Sequence, residues 1–342
     1  MKLLSNEMVF KGHPDKVCDQ ISDALLNAYL KGDNASRCAI ECVGGKHMIF
    51  ITGEVTSNAT VDAEEVVKQV LAEVNYPNDC KIINNIGIQS VDIALGTNDN
   101  IGGAGDQGVM YGYACNETPQ MYPKAMVIIN DFVRYYNNSL ANKDGFLSDG
   151  KCQITGKYED GKLIGIDTFL VSYQNTEENR EYTDQIIKDK INSYDVKVDK
   201  ILINPTGKFK IGGFTGDSGL TGRKIVCDNY QSFCQVGGGC FSGKDPSKVD
   251  RSASFGAREL AKDLLTQFKL QWCKVQLAYA IGVAEPVSIN VECDKSNINF
   301  KIGKSRYTPK AMIERFDLKH LDYQKLAVYG IYGFDGWNDK TI

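Results

Sequence analysis

Apolar residues recur at helical spacing between Lys16 and Lys31, at Val17, Ile21, Leu25 and Ala28, and the pattern stops at Gly32. CAIECV (38–43) and MIFITGEVT (48–56) then read as two strands, with Gly44-Gly45 between them as a hairpin signal. Helical spacing returns in VDAEEVVKQVLAEV (61–74), where Asp62 is placed to cap. Beyond it the pattern predicts strands over QITGKY (153–158) and Leu163–Tyr173, then a helix near Tyr182–Tyr194. A helix from Ala253 to Leu270 and strands at VQLAYAIGV (275–283) and VSINVEC (287–293) complete the series. Hairpins packed by helices, without a strict strand–helix alternation, predict an α+β fold.

Two pairs of segments echo each other. KGHPDKV (11–17) and GKDPSKV (243–249) share Pro, Lys and Val in register, and each leads into a helix. GGAGDQGVMYG (102–112) and GGFTGDSGLTG (212–222) align on glycines and on Asp106 and Asp217. Together they predict related α+β units, each contributing a ligand-facing loop. We divide the chain at 1–97, 102–210 and 211–342, with the small polar run LGTNDNI (95–101) as a mobile connection.

A chain of 342 residues, 42% hydrophobic, has ample material for such units. The net charge of −4 gives no reason to expect a nucleic-acid or membrane partner, and no apolar run is long enough to span a bilayer. Eleven cysteines without a CxxC predict free thiols and a cytoplasmic protein.

The charges that matter are local. GGGCFSGKDPSKVDRS (237–252) sets Lys244, Lys248 and Arg251 beside Asp245 and Asp250 on a bare glycine backbone. IGGFTGDSGLTGRK (211–224) repeats the recipe with Asp217, Arg223 and Lys224, and KGHPDK (11–16) sets it beside His13, one of three histidines. Cations grip polyphosphate oxygens, Arg as a planar fork and Lys as a point charge, while an aspartate holds the bridging divalent metal. His13 and Asp15 at a helix start read either as caps or as phosphate and metal contacts. Asp149 and Lys151, placed just ahead of QITGKY, read more simply as turn residues. Neither glycine loop has Walker A spacing, no GxGxxG sits in a βαβ setting, and no Ser/His/Asp set is evident. The pattern points to a metal–nucleotide enzyme that is neither a P-loop kinase nor a Rossmann dehydrogenase.

GHPDK, GAGDQG with MYGYACNET, INPTG, GDSGLTGRKI, GGGCFSGKDPSKVDRS and YAIGVAEP resemble, in order, the signature segments of the S-adenosylmethionine synthetases (methionine adenosyltransferases). The resemblance implies three α+β domains in pseudo-threefold arrangement and a site between two subunits. A homodimer is then the minimum, with pairing into a tetramer left open. It also implies attack of methionine sulfur on C5′ of ATP, hydrolysis of the expelled tripolyphosphate, two Mg²⁺ per site and K⁺. The runner-up readings are a weakly active regulatory paralogue and a tripolyphosphatase.

Residue by residue, the resemblance gives His13, Lys151, Asp217, Arg223, Lys224, Lys244 and Lys248 catalytic roles. It adds Asp149, Lys208, Phe209, Cys240 and Ile281 to the ATP pocket, overturning the turn reading of Asp149 and Lys151. Glu54, Gln89, Asp217 and Lys248 would meet methionine, Asp15 and Asp250 magnesium, and Glu41 potassium. Gln89 to about Ile101 resembles a gating loop. The chain departs from the family pattern at Lys11, where an acid is usual, and at Lys208 for Arg. It departs again at Phe214 for Pro and Asn175 for His.

Overall fold

The computed structural model describes residues 1–89, 102–296 and 298–333, so the segment after Gln89 through Ile101 lies outside the described residues. Strand β1 (Lys2–Val9) leads into helix α1 (Pro14–Gly32), hairpin β2 (Arg37–Gly45) and β3 (Met48–Thr56), helix α2 (Ala63–Glu73) and β4 (Lys81–Gly87). The second segment repeats the order: β5 (Gly108–Cys115), α3 (Lys124–Tyr135), hairpin β6 (Phe146–Glu159) and β7 (Lys162–Asn175), α4 (Arg180–Asn192) and β8 (Val198–Ile203). In the third come the short α5 (Gly213–Gly216) and β9 (Gly219–Leu220), then α6 (Val249–Phe268), hairpin β10 (Trp272–Tyr279) and β11 (Ser288–Cys293). Helices α7 (Pro309–Phe316) and α8 (Tyr323–Ala327) close it.

The strands form three sheets, ordered β1-β6-β7-β8, β9-β2-β3-β4 and β5-β10-β11. In each, a central hairpin takes on an antiparallel strand from another segment. In two of them a helical crossover returns a fourth strand in parallel, β4 on β3 and β8 on β7. The exchange is cyclic: the leading strand of the first segment completes the second segment's sheet, that of the second completes the third's, and β9 completes the first's. This is the pseudo-threefold arrangement that the family resemblance implied, built from the related units that the loop echoes predicted.

One apolar core joins α1, α2, α6, α7 and α8 to the inner faces of two sheets, and a second lies between α3, α4 and the β1-β6-β7-β8 sheet. The hairpin between β2 and β3 turns at Lys46-His47, because Gly44 and Gly45 are still paired within β2. Gly44 is small for another reason: a Cβ there would collide with the buried Phe214 ring. All eleven cysteines are free and seven are buried. Among the described residues no helix is long and apolar enough to cross a membrane.

Candidate functional site

The His13 turn is fixed from every side. Phe10 N–H donates to Gly150 O (2.9 Å), Gly12 N–H to Ser148 O (3.1 Å), and His13 N–H to Phe10 O (3.0 Å). Asn137, in a short π-helix after α3 (Tyr136–Leu140), accepts from Lys11 N–H (3.2 Å). The Tyr76 hydroxyl donates to Gly12 O, and Gln20 Nε2 to Lys11 O (2.7 Å). His13 is the N-cap of α1, its Nδ1 accepting from Asp15 N–H (3.2 Å), with Pro14 in the first turn. Burial, and then the charge of Lys224, push the imidazole down to about 4. A neutral ring that accepts at Nδ1 carries its proton on Nε2, so His13 presents a donor.

Asp15 is almost wholly buried in the first turn of α1. Its Oδ1 accepts from Leu220 N–H (3.0 Å) and lies 3.0 Å from Arg223 Nε, and Oδ2 takes Lys224 Nζ at 2.6 Å. One carboxylate therefore gathers both cations of the GDSGLTGRK loop at a helix N-terminus. Farther along α1, Asp19 accepts from Gly222 N–H (2.9 Å) and Asp23 from Gly243 N–H (2.8 Å), so the helix holds two glycine loops by their backbones.

Asp149 and Lys151 lie inside β6, and not ahead of it as expected; a register shift between Phe146 and Gly150 breaks the alternation there. Asp149 is buried and accepts from Gly213 N–H (2.7 Å). Burial raises it to about 6, against the opposing donors Gly213 and Gly150, and Asp217 adds to the rise. Lys151 is exposed, pairs across to Val9, and acts on His13. Gly213 takes φ +59 against the Tyr76 ring, whose edge meets Phe214 at 5.3 Å between centroids. Phe209 is half-buried, its carbonyl accepting from Asn175 N–H (2.9 Å), while Lys208 and Asp217 are exposed. Burial lowers Lys11, and the charges around it belong to Glu73 and Lys143.

The GKDPSK loop forms a second cluster. Lys244 Nζ lies 2.5 Å from Asp250 Oδ2, and Lys248 Nζ 2.7 Å from Asp245 Oδ2. Asp245 also accepts from Cys38 N–H (2.8 Å), and Ala39 bridges to Lys244, which fixes the loop along β2. Burial raises Asp250, with Lys244 opposing and Asp106 adding to the rise. The Cys240 side chain packs on Gly222, which joins this cluster to the first loop.

Not everything converges. Asp15 and Asp23 are eight residues apart, about 12 Å along the helix axis, so the two lysine clusters sit at different levels of α1. Glu41 (exposed) and Glu54 (half-buried) share the sheet face opposite Ile40, Cys42, Ile49 and Ile51, and Gln89 comes two residues after Gly87, the β4 partner of Glu54. Ile281 is 50% exposed next to Gly282, which pairs with Ala104 of the GAGDQG loop. Among the described residues no group of three or more metal-ligating side chains forms a cage. Sequence reasoning missed Asp106 as a neighbour of Asp250, although its alignment with Asp217 was the available signal. It also missed the pair of buried Lys16 and partly buried Asp228, for which spacing gives no sign.

Three family matches tile the chain in order: the N-terminal domain of S-adenosylmethionine synthetase over residues 1–94, the central domain over 101–209 and the C-terminal domain over 211–339. The chain belongs to the S-adenosylmethionine synthetase family. Relatives agree along nearly its whole length. An S-adenosylmethionine synthase from Gloeothece citriformis is 40% identical over 97% of this chain and 92% of its own. One from Mycoplasmopsis synoviae is 41% identical with the same coverage. A solved S-adenosylmethionine synthetase from Campylobacter jejuni superposes with a TM-score of 0.85 at 31% identity, covering 97% of this chain and 95% of its own.

Proposed function

We propose that this chain is a methionine adenosyltransferase, converting ATP, L-methionine and water to S-adenosylmethionine, phosphate and diphosphate. The observation that carries this reading is Arg223 and Lys224 gathered on buried Asp15, beside a neutral His13 that offers a proton donor. A thioether is already a nucleophile, so the step needs no base. The sulfur–C5′ bond forms as the C5′–oxygen bond breaks, and the electron pair leaves on the tripolyphosphate. The barrier then lies in alignment and in the charge of the leaving chain, which fixed cations stabilise.

His13 donates from Nε2 toward the departing oxygen, and Lys151, Arg223, Lys224 and Lys244 meet the phosphates. Asp149, Phe209, Lys208, Cys240 and Ile281 hold the nucleoside, with Asp217 between it and methionine. Glu54, Gln89 and Lys248 take methionine. Asp15 and Asp250 each offer hard carboxylate oxygens of the kind Mg²⁺ shares with phosphates, so two ions there would neutralise the polyphosphate. Glu41 would offer K⁺ a carboxylate oxygen. We place a complete site at the junction of two chains, in a homodimer. That reading is supported by the separation of the lysine clusters along α1 and by the exposed apolar side chains of Val43, Met48, Ile281, Val283 and Val287.

Mass spectrometry of a reaction with ATP, methionine, Mg²⁺ and K⁺ tests the proposal. A methionine-dependent sulfonium product, with phosphate and diphosphate in equal amounts, is the expected result. Phosphate release that never yields a sulfonium would leave a tripolyphosphatase instead.

A further inference from the structure

Lys16 is 1% exposed and is the third residue past His13, the N-cap of α1. Its ammonium lies 2.6 Å from Asp228 Oδ1 and 3.0 Å from Asp19 Oδ2. Asp19 in turn holds Gly222 N–H at 2.9 Å through its other oxygen. Asp228 N–H donates to Lys224 O (2.9 Å), and its own carbonyl accepts from Ile331 N–H (3.3 Å). The turn carrying Arg223 and Lys224 is thus fastened at both ends to one buried ammonium on α1: at Gly222 through Asp19, and after Lys224 through Asp228. The same helix supplies Asp15, which receives both cation side chains.

An ion pair with one partner buried and the other mostly so is costly to desolvate, and such pairs are often replaced by apolar residues without loss of stability, so stability alone is a weak reason to have one here. What the pair supplies is register. We propose that Lys16 and Asp228 are positioning residues for Arg223 and Lys224, setting the reach of these cations to the polyphosphate chain while leaving methionine recognition untouched. Neither residue touches substrate; each acts through the backbone of the turn. The proposal rests on the reaction assigned above and extends it to two residues outside the glycine loops' own charges.

The test compares full-length wild type with D228N, D228E and the apolar pair K16M/D228L. Calorimetric titration with inorganic tripolyphosphate in excess Mg²⁺ reads the cations directly, without catalysis. In D228N, tripolyphosphate affinity and kcat should each fall roughly tenfold or more while the KM for methionine stays within about twofold, since small displacements of a binding group cost rate steeply. D228E, which keeps the charge, should recover most of the loss. K16M/D228L should melt close to wild type and still bind tripolyphosphate poorly; it decides the matter if D228N does not fold. Wild-type tripolyphosphate binding in D228N, or its restoration by the apolar pair, would overturn the positioning role. A wild-type protein that neither binds tripolyphosphate nor forms a sulfonium would instead overturn the proposed reaction, and the positioning role with it.

Discussion

Asp149 shows how far a single residue's environment decides its chemistry. In the sequence it is one of several aspartates near a glycine; in the fold it is buried in β6 with Gly213 N–H on one oxygen and its pKa raised to about 6 by burial. The folded state therefore keeps a proton on Asp149 between the ordinary value of 3.8 and about 6, where the unfolded chain has released it. Its contribution to stability is complete below 3.8 and is lost as pH rises through about 6. D149N should remove that slope, read by chemical denaturation at several pH values; an unchanged slope would mean the group titrates elsewhere. Which aspartates do chemistry was only partly legible. Asp15, Asp19 and Asp23 recur along one helix and are equally buried, so only their partners separate them: Asp15 collects Arg223 and Lys224, whereas Asp19 and Asp23 each join one cation, Lys16 or Arg251, to the backbone of a glycine loop.

At the scale of elements, the periodic stretches are elements in the fold, although the strand expected over 275–283 ends at Tyr279 ahead of a turn, and the contextual elements are the ones missed. Helix α2 begins where Asp62 caps it, accepting from Glu65 N–H at 3.1 Å, and the β2–β3 hairpin lies where alternation placed its strands. Helix α6 starts a turn earlier than its apolar pattern because Asp250, Arg251 and Ser252 are buried polar residues with partners or close-packed surroundings. β1, β4, β5 and β8 were not anticipated; β4, KIINNIG, exposes Lys81, Asn84 and Asn85 along a sheet edge, and its apolar and polar residues come in pairs without strict alternation. The Gly44–Phe214 contact was equally hidden, since the two positions are remote in sequence and a glycine pair reads as a turn. G44A should cost roughly 1–3 kcal/mol through overpacking. The pairing with F214L, which withdraws the ring, should restore most of that loss in a thermal melt. Independent, additive effects of the two changes would argue against the contact.

At the scale of the molecule, the loop echoes were visible and the strand exchange was not. KGHPDKV and GKDPSKV do stand at the starts of α1 and α6, displaced from each other by about one helical turn. The pairing of Leu3 with Lys157, by contrast, spans half the chain and leaves no local trace. Because each sheet contains a strand from another segment, calorimetric unfolding should give one endotherm whose van't Hoff and measured enthalpies agree. Three resolved transitions would show instead that the segments melt separately. The same topology bears on dissection. A gene cut at the segment borders would yield three products, each missing the border strand it needs and carrying one that has nowhere to go. Soluble material should appear only when all three are made together in the same cell, as interlocking parts of an object with no detachable module.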